Sequence, residues 1–131
     1  MAVNENLRSI SLNAPSTVFS TYQYRMVVHS SSDGIFAVGS TATAKVAIGV
    51  LQDAPTVTGE AAQIAINGSV TKIQYGAAMD AGDNFAMGAL GRAVTTAGAT
   101  AGDFIYGPVL TTVATSDTIG TVMFNVVGKT T

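Results

Sequence analysis

Few side chains in this sequence are equipped for chemistry, and their spacing sets what each could do. The one histidine, His29, is followed at once by Ser30, Ser31, Ser32 and Asp33, which supplies the base, hydroxyl and acid of nucleophilic catalysis. A Ser-His-Asp mechanism needs those groups to converge from separate places, with the acid orienting the base. Neighbours within one turn do not converge in that way, so His29 reads as a polar residue at a strand end. Asp80 and Asp83 stand three apart in Met79-Asp80-Ala81-Gly82-Asp83-Asn84, and their oxygens would suit a hard cation such as calcium. The spacing departs from the D-x-[DN]-x-[DN]-G loop, and no bidentate Glu closes it. Two solvated turn aspartates are expected, and no metal.

Gly88 and Gly91 followed by Arg92 suggest a phosphate cradle, but the stretch lacks the G-K-[ST] ending and opens no helix. Asn67-Gly68-Ser69 is a glycosylation sequon that matters only in a secreted chain. Tyr22 and Tyr24 fall on one face of an extended segment and form the same-face aromatic pair that a stacking platform for sugars would use. A place in the core or a subunit interface is the stronger reading for the aromatics. No enzymatic activity and no cofactor are expected from these residues.

The composition points the same way. The chain has 131 residues and no cysteine, which fits one domain and excludes disulfides, thiol nucleophiles and cysteine-based zinc sites. Asp, Glu, Lys and Arg make up 11% of it, against about 25% in ordinary soluble domains. Ala, Gly, Ser and Thr approach half of the chain, so small neutral groups have replaced the charge, and such a surface is easy to pack against. The net charge of −2, with no run of basic residues, offers no electrostatic footprint for nucleic acid. Without a charged leader, an apolar core segment behind it or an unbroken apolar stretch of membrane length, neither a signal peptide nor a membrane span is expected.

The elements that must position these groups read as short strands. Residues 1–16 show no sustained period and end near Pro15, so they are expected to form an N-terminal arm, with residues 17–131 as the β-rich domain. Val18 to Val28 alternates as a strand would, and a turn at Ser30 to Gly34 leads into Ile35 to Val38. Lys45 to Leu51 is a third strand, stopped by Gln52-Asp53-Ala54-Pro55. Gly49 inside it marks a bulge or a close backbone approach. Glu60 to Ile66 and Val70 to Tyr75 flank Asn67-Gly68, a dipeptide typical of tight hairpins, with a bulge or a three-residue loop expected near Lys72 where the apolar phase slips. Further strands are expected at Asn84 to Met87, Arg92 to Thr96, Phe104 to Tyr106, Val109 to Val113 and Ile119 to Val127. Ala81-Gly82-Asp83 and Ala101-Gly102-Asp103 look like the same turn used twice. Helical spacing occurs only over Ala37 to Ala47, and its composition allows a turn or two at most. The whole is an all-β pattern of short antiparallel strands, a sandwich or a barrel.

One ordered series goes further. Ile48-Gly49-Val50-Leu51-Gln52 with Pro55, Gly59-Glu60-Ala61, Ala81-Gly82-Asp83, Leu90-Gly91-Arg92-Ala93-Val94 and Gly102-Asp103-Phe104-Ile105-Tyr106-Gly107 follow one another. Together with Tyr24 to Val28 and Asp33-Gly34 upstream, the series resembles the small capsid decoration, or cement, proteins of tailed bacteriophages over roughly residues 17–127. The resemblance implies a β-rich virion protein that binds the outer surface of an assembled capsid, commonly as a homotrimer, and stabilises it by bridging neighbouring major capsid subunits. It implies synthesis in the host cytoplasm, with the major capsid protein and further copies of itself as partners; nucleic acid and membrane are not expected as partners from the charge and hydropathy above. On that reading the arm orders against the shell or a neighbouring subunit, with Leu7, Ile10 and Leu12 as apolar anchors and Arg8 as a carboxylate partner. A tail or head-fibre component is the alternative among structural proteins. A small carbohydrate-binding module using Tyr22 and Tyr24, or a hydrolase using His29, are the alternatives from other classes.

Overall fold

Short β-branched and aromatic runs separated by Gly, Asp, Ser and Thr favour strands joined by tight turns, and strands are what the chain forms. The computed structural model of the protein describes residues 7–15, 17–40, 45–98 and 102–129. In chain order the strands are β1 (Ser9–Asn13), β2 (Met26–His29), β3 (Phe36–Val38), β4 (Gly49–Leu51), β5 (Ala61–Ile66), β6 (Ser69–Gln74), β7 (Phe85–Met87), β8 (Ala93–Thr95), β9 (Phe104–Tyr106), β10 (Ile119–Phe124) and β11 (Val126–Lys129). The helical structure among the described residues is limited to 3-10 turns at Thr17–Thr21, Ala89–Gly91 and Thr96–Gly98. The fold is all-β, as the turn spacing predicts.

Three antiparallel sheets share the structure: β1-β5-β4-β2-β3, β10-β6 and β11-β9-β7-β8. The five-stranded sheet curls until its two edges meet, because Asn13 bridges to Ile35 and its N–H donates to the Gly34 carbonyl at 2.9 Å. Inside the curl lies a small core of Ala14, Phe19, Val27, Phe36, Leu51, Ala62 and Ile64, where the Phe19 ring meets Tyr22 and Phe36 edge to face. The opposite face of the sheet presents Met26, Val28 and Val50 to the larger core, which the other two sheets complete. There Phe85, Tyr106 and Phe124, one from each of β7, β9 and β10, stack in a column with centroids 5.7 and 5.2 Å apart. Burying each such ring contributes about 1.5–3 kcal/mol. The architecture thus combines a nearly closed five-stranded barrel with packed sheets.

Several strand readings are confirmed and others corrected. The β2–β3 and β7–β8 hairpins form where the turns predict them. Gly49 is a close-approach glycine: a Cβ there would lie 1.9 Å from the Ala65 carbonyl oxygen. Gly82 and Gly102 both hold positive φ, 97° and 92°, so the repeated turn is real at its glycines. The strand expected from Val18 does not start until Met26, because Thr17–Thr21 coils into a 3-10 turn and Tyr24 holds φ 64°. Asn67-Gly68 turns the chain as expected, but β5 and β6 do not pair; β5 lies between β1 and β4, and β6 pairs with β10. Nor does β6 bulge, since Ser69 to Gln74 runs in unbroken register against Phe124 to Ile119. Its inward face carries buried Ser69 and Thr71 beside Ile73, so the apolar phase slips in sequence while the strand stays regular. Val109 and Val113 make isolated bridges to Val122 and Met79 rather than a strand. Of the Ala37 to Ala47 stretch with helical spacing, Ala37 and Val38 belong to β3, and residues 41–44 lie outside the described residues.

Candidate functional site

The residues singled out for chemistry stay apart. His29 is exposed at the end of β2, its Nδ1 set 2.6 Å from the Ser30 carbonyl. The Ser30 hydroxyl is occupied with the backbone of Ser32. Asp83 Oδ2 accepts the Asp80 N–H at 3.1 Å within their exposed turn. Among the described residues no three His, Asp or Glu side chains gather as metal ligands would, and no helix is long and apolar enough to cross a membrane. The turn at Gly88 closes the β7–β8 hairpin through a Gly88 N–H to Arg92 carbonyl bond of 2.7 Å.

Of the expected arm, residues 7–15 are described, and Ser9–Asn13 forms β1 at the edge of the five-stranded sheet, while residues 1–6 and 16 lie outside the described residues. β1 pairs with β5 from Ser9 opposite Ala65 to Asn13 opposite Ala61. Leu12 packs against the small core, whereas Leu7 and Ile10 are 37% and 39% exposed. Arg8 is tied down through its backbone: its N–H donates to the buried Ser69 hydroxyl, which donates in turn to the Arg8 carbonyl, both at 2.9 Å. Its guanidinium lies beside Gly68.

A second cluster went unseen in the sequence. Arg25 follows the turn at Tyr24, Lys72 and Gln74 point outward from β6, and Leu90 and Arg92 belong to the β7–β8 turn. Arg25 Nε donates to Gln74 Oε1 and its Nη1 to the Leu90 carbonyl, both at 3.0 Å. Arg92 pairs with Asp117 at 2.6 Å. The Gln74 N–H donates to the Tyr24 carbonyl at 2.9 Å, and Lys72 Nζ lies 6.0 Å from the centre of the Tyr24 ring. Ile119, opposite Gln74 in the β6–β10 pair, adds an exposed apolar side chain. Burial, and then the charge of Arg92, hold the Arg25 guanidinium below its ordinary value. Tyr22 and Tyr24 do not share a strand face: Tyr22 packs on Phe19 and lies under Arg25, while Tyr24 turns toward Lys72. The signal available in the sequence was slight, since each of these cations looks isolated and only the topology assembles them.

Two tyrosines are buried for structural reasons. Tyr106 accepts the buried Ala47 N–H at 2.8 Å, and burial raises its pKa. Burial pushes the Tyr75 phenol up to about 12.

An all-β fold of this kind is found in a structural component of a phage virion. That structure is the N base of head fibre gp8.5 of bacteriophage phi29, which superposes with a TM-score of 0.61 over 92% of this chain and 95% of its own, at 20% sequence identity. No family model and no curated protein sequence matches the chain.

Proposed function

We propose that the protein is a structural component of a phage virion that seats a head fibre on the outer surface of the capsid. The observation that carries this reading is the shared fold with the phi29 head-fibre base, which extends over nearly the whole of both chains. The major capsid protein is the partner, and self-association as a homotrimer multiplies the contact. Leu7 and Ile10, exposed along the edge of β1, supply apolar anchors toward the shell. A ligand that binds only the assembled shell stabilises it by mass action. The cement reading, supported by the ordered motif series, differs in distribution: a decoration protein covers the lattice and bridges its subunits, whereas a fibre base occupies attachment points beneath projections.

Immunogold labelling of heads of the phage that encodes the chain, with co-sedimentation of purified protein and empty heads, separates these readings. A fibre base gives saturable co-sedimentation with label at the feet of projections, and Ile10→Asp weakens it. Label spread evenly over the shell would establish the cement role instead. A well-folded protein that stays wholly in the supernatant would overturn both.

A further inference from the structure

Three non-glycine residues among those described hold positive φ: Tyr24 at 64°, Leu90 at 56° and Asp117 at 60°. All three belong to the cluster around Arg25 and Arg92. The left-handed region is unfavourable for a leucine, because its Cβ crowds the following carbonyl oxygen. Such strain persists only when its surroundings impose it, and it concentrates at functional positions. Here the Arg25 guanidinium holds the Leu90 carbonyl, yet the Leu90 side chain is 45% exposed, so burial returns little of the cost. Glycine would satisfy the backbone better, so the leucine side chain needs another use.

The charges point to that use. Arg25, Lys72 and Arg92 meet on one face with Asp117 as their one ion-pairing acid among the described residues. The face is therefore locally positive in a chain of net charge −2. Arg25 commits Nε to Gln74 and Nη1 to the Leu90 carbonyl, and a guanidinium carries five N–H donors in a fork suited to a planar acceptor such as a carboxylate. Exposed Leu90 and Ile119 add apolar contact beside these cations.

We propose that this face is a docking surface for an acidic segment of a protein partner, with Arg25, Lys72 and Arg92 meeting carboxylates and Leu90 and Ile119 packing on an adjacent apolar side chain. Nucleic acid fits less well. Affinity for a phosphate backbone grows with the number of phosphates neutralised, and three cations sharing one aspartate form too short a track. Phosphates also leave two exposed aliphatic side chains without a contact. The inference rests on this face alone and not on the head-fibre reading.

Fluorescence anisotropy tests it, with the full chain titrated against a labelled peptide of alternating glutamate and leucine. A peptide with glutamine for glutamate and a single-stranded DNA oligonucleotide serve as comparison probes. Saturable, salt-sensitive binding of the glutamate peptide is expected, weakened about tenfold by Lys72→Gln and by Leu90→Gly. The melting temperature is expected to hold in the first variant and to hold or rise in the second. Lys129→Gln on β11, where the native ammonium sits over the Phe104 ring of β9, leaves binding unchanged. Failure of the glutamate peptide to bind, equal binding of the glutamine peptide, or full binding by both variants would overturn the proposal. Tighter binding of the oligonucleotide would reassign the face to nucleic acid. Self-association of the wild type that is lost in Lys72→Gln would reassign it to a second copy of the chain.

Discussion

Gly49 and Leu90 set the two regions of this molecule against each other. In the curled five-stranded sheet the backbones come so close that the smallest side chain is imposed: at Gly49 even a methyl group meets the Ala65 carbonyl. On the cationic face the backbone at Leu90 adopts the conformation glycine favours, and a large exposed side chain stands there instead. In the first region residue and backbone agree, as packing for stability requires. In the second they conflict, and the conflict marks a surface whose composition serves something other than stability.

Four measurements bear on this contrast. Gly49→Ala should have the largest effect, since the clash is with backbone on a neighbouring strand; a loss of about 3 kcal/mol or more is expected in urea unfolding. Next comes alkaline pH. Because folding raises the Tyr75 pKa from 10.0 to about 12, its contribution is intact below pH 10 and is lost as pH rises toward 12. Unfolding followed across that window should lose about 2–3 kcal/mol by pH 12, and Tyr75→Phe should flatten the decline. Tyr106→Phe leaves the buried Ala47 N–H without its acceptor and should cost about 1–2 kcal/mol by the same denaturant measurement. Leu90→Gly should have the smallest effect and the opposite sign, a gain of about 0.5–1 kcal/mol from relieved strain less the added flexibility of the unfolded chain. A destabilised Leu90→Gly would place the leucine among the packing residues and remove the contrast.

What was legible in the sequence follows from how local its cause is. The β7–β8 hairpin could be read because Gly88 to Gly91 is a turn whose flanking strands pair with each other. Gly49 could be read because a glycine within an apolar strand has few structural explanations. The Asn67-Gly68 turn was visible, but not its consequence, since the partners of β5 come from Ser9–Asn13 and Gly49–Leu51 and outcompete its neighbour in sequence. The regularity of β6 was hidden because Ser69 and Thr71 are buried through bonds to the Arg8 backbone and the Gln52 side chain, which no apolar pattern records. Leu7, Arg8, Ile10 and Leu12 could be grouped from the sequence because they are close in it, but the packing of Leu12 against the small core could not be read there. Arg25, Lys72 and Arg92 were missed because three separate elements carry them.

The pairing scheme also constrains how the protein comes into being. Ser9 finds its partner at Ala65 and Ser69 finds its own at Phe124, so β1 waits for Ala61–Ile66 to be made and β6 waits for Ile119–Phe124. Topologies dominated by such distant pairings fold in milliseconds to seconds rather than microseconds. On the ribosome β6 must therefore emerge with no strand to receive it, a template open to the wrong neighbour until translation has passed Phe124. Unfinished copies gathered on one polysome carry this open strand at high local concentration, the condition that favours aggregation.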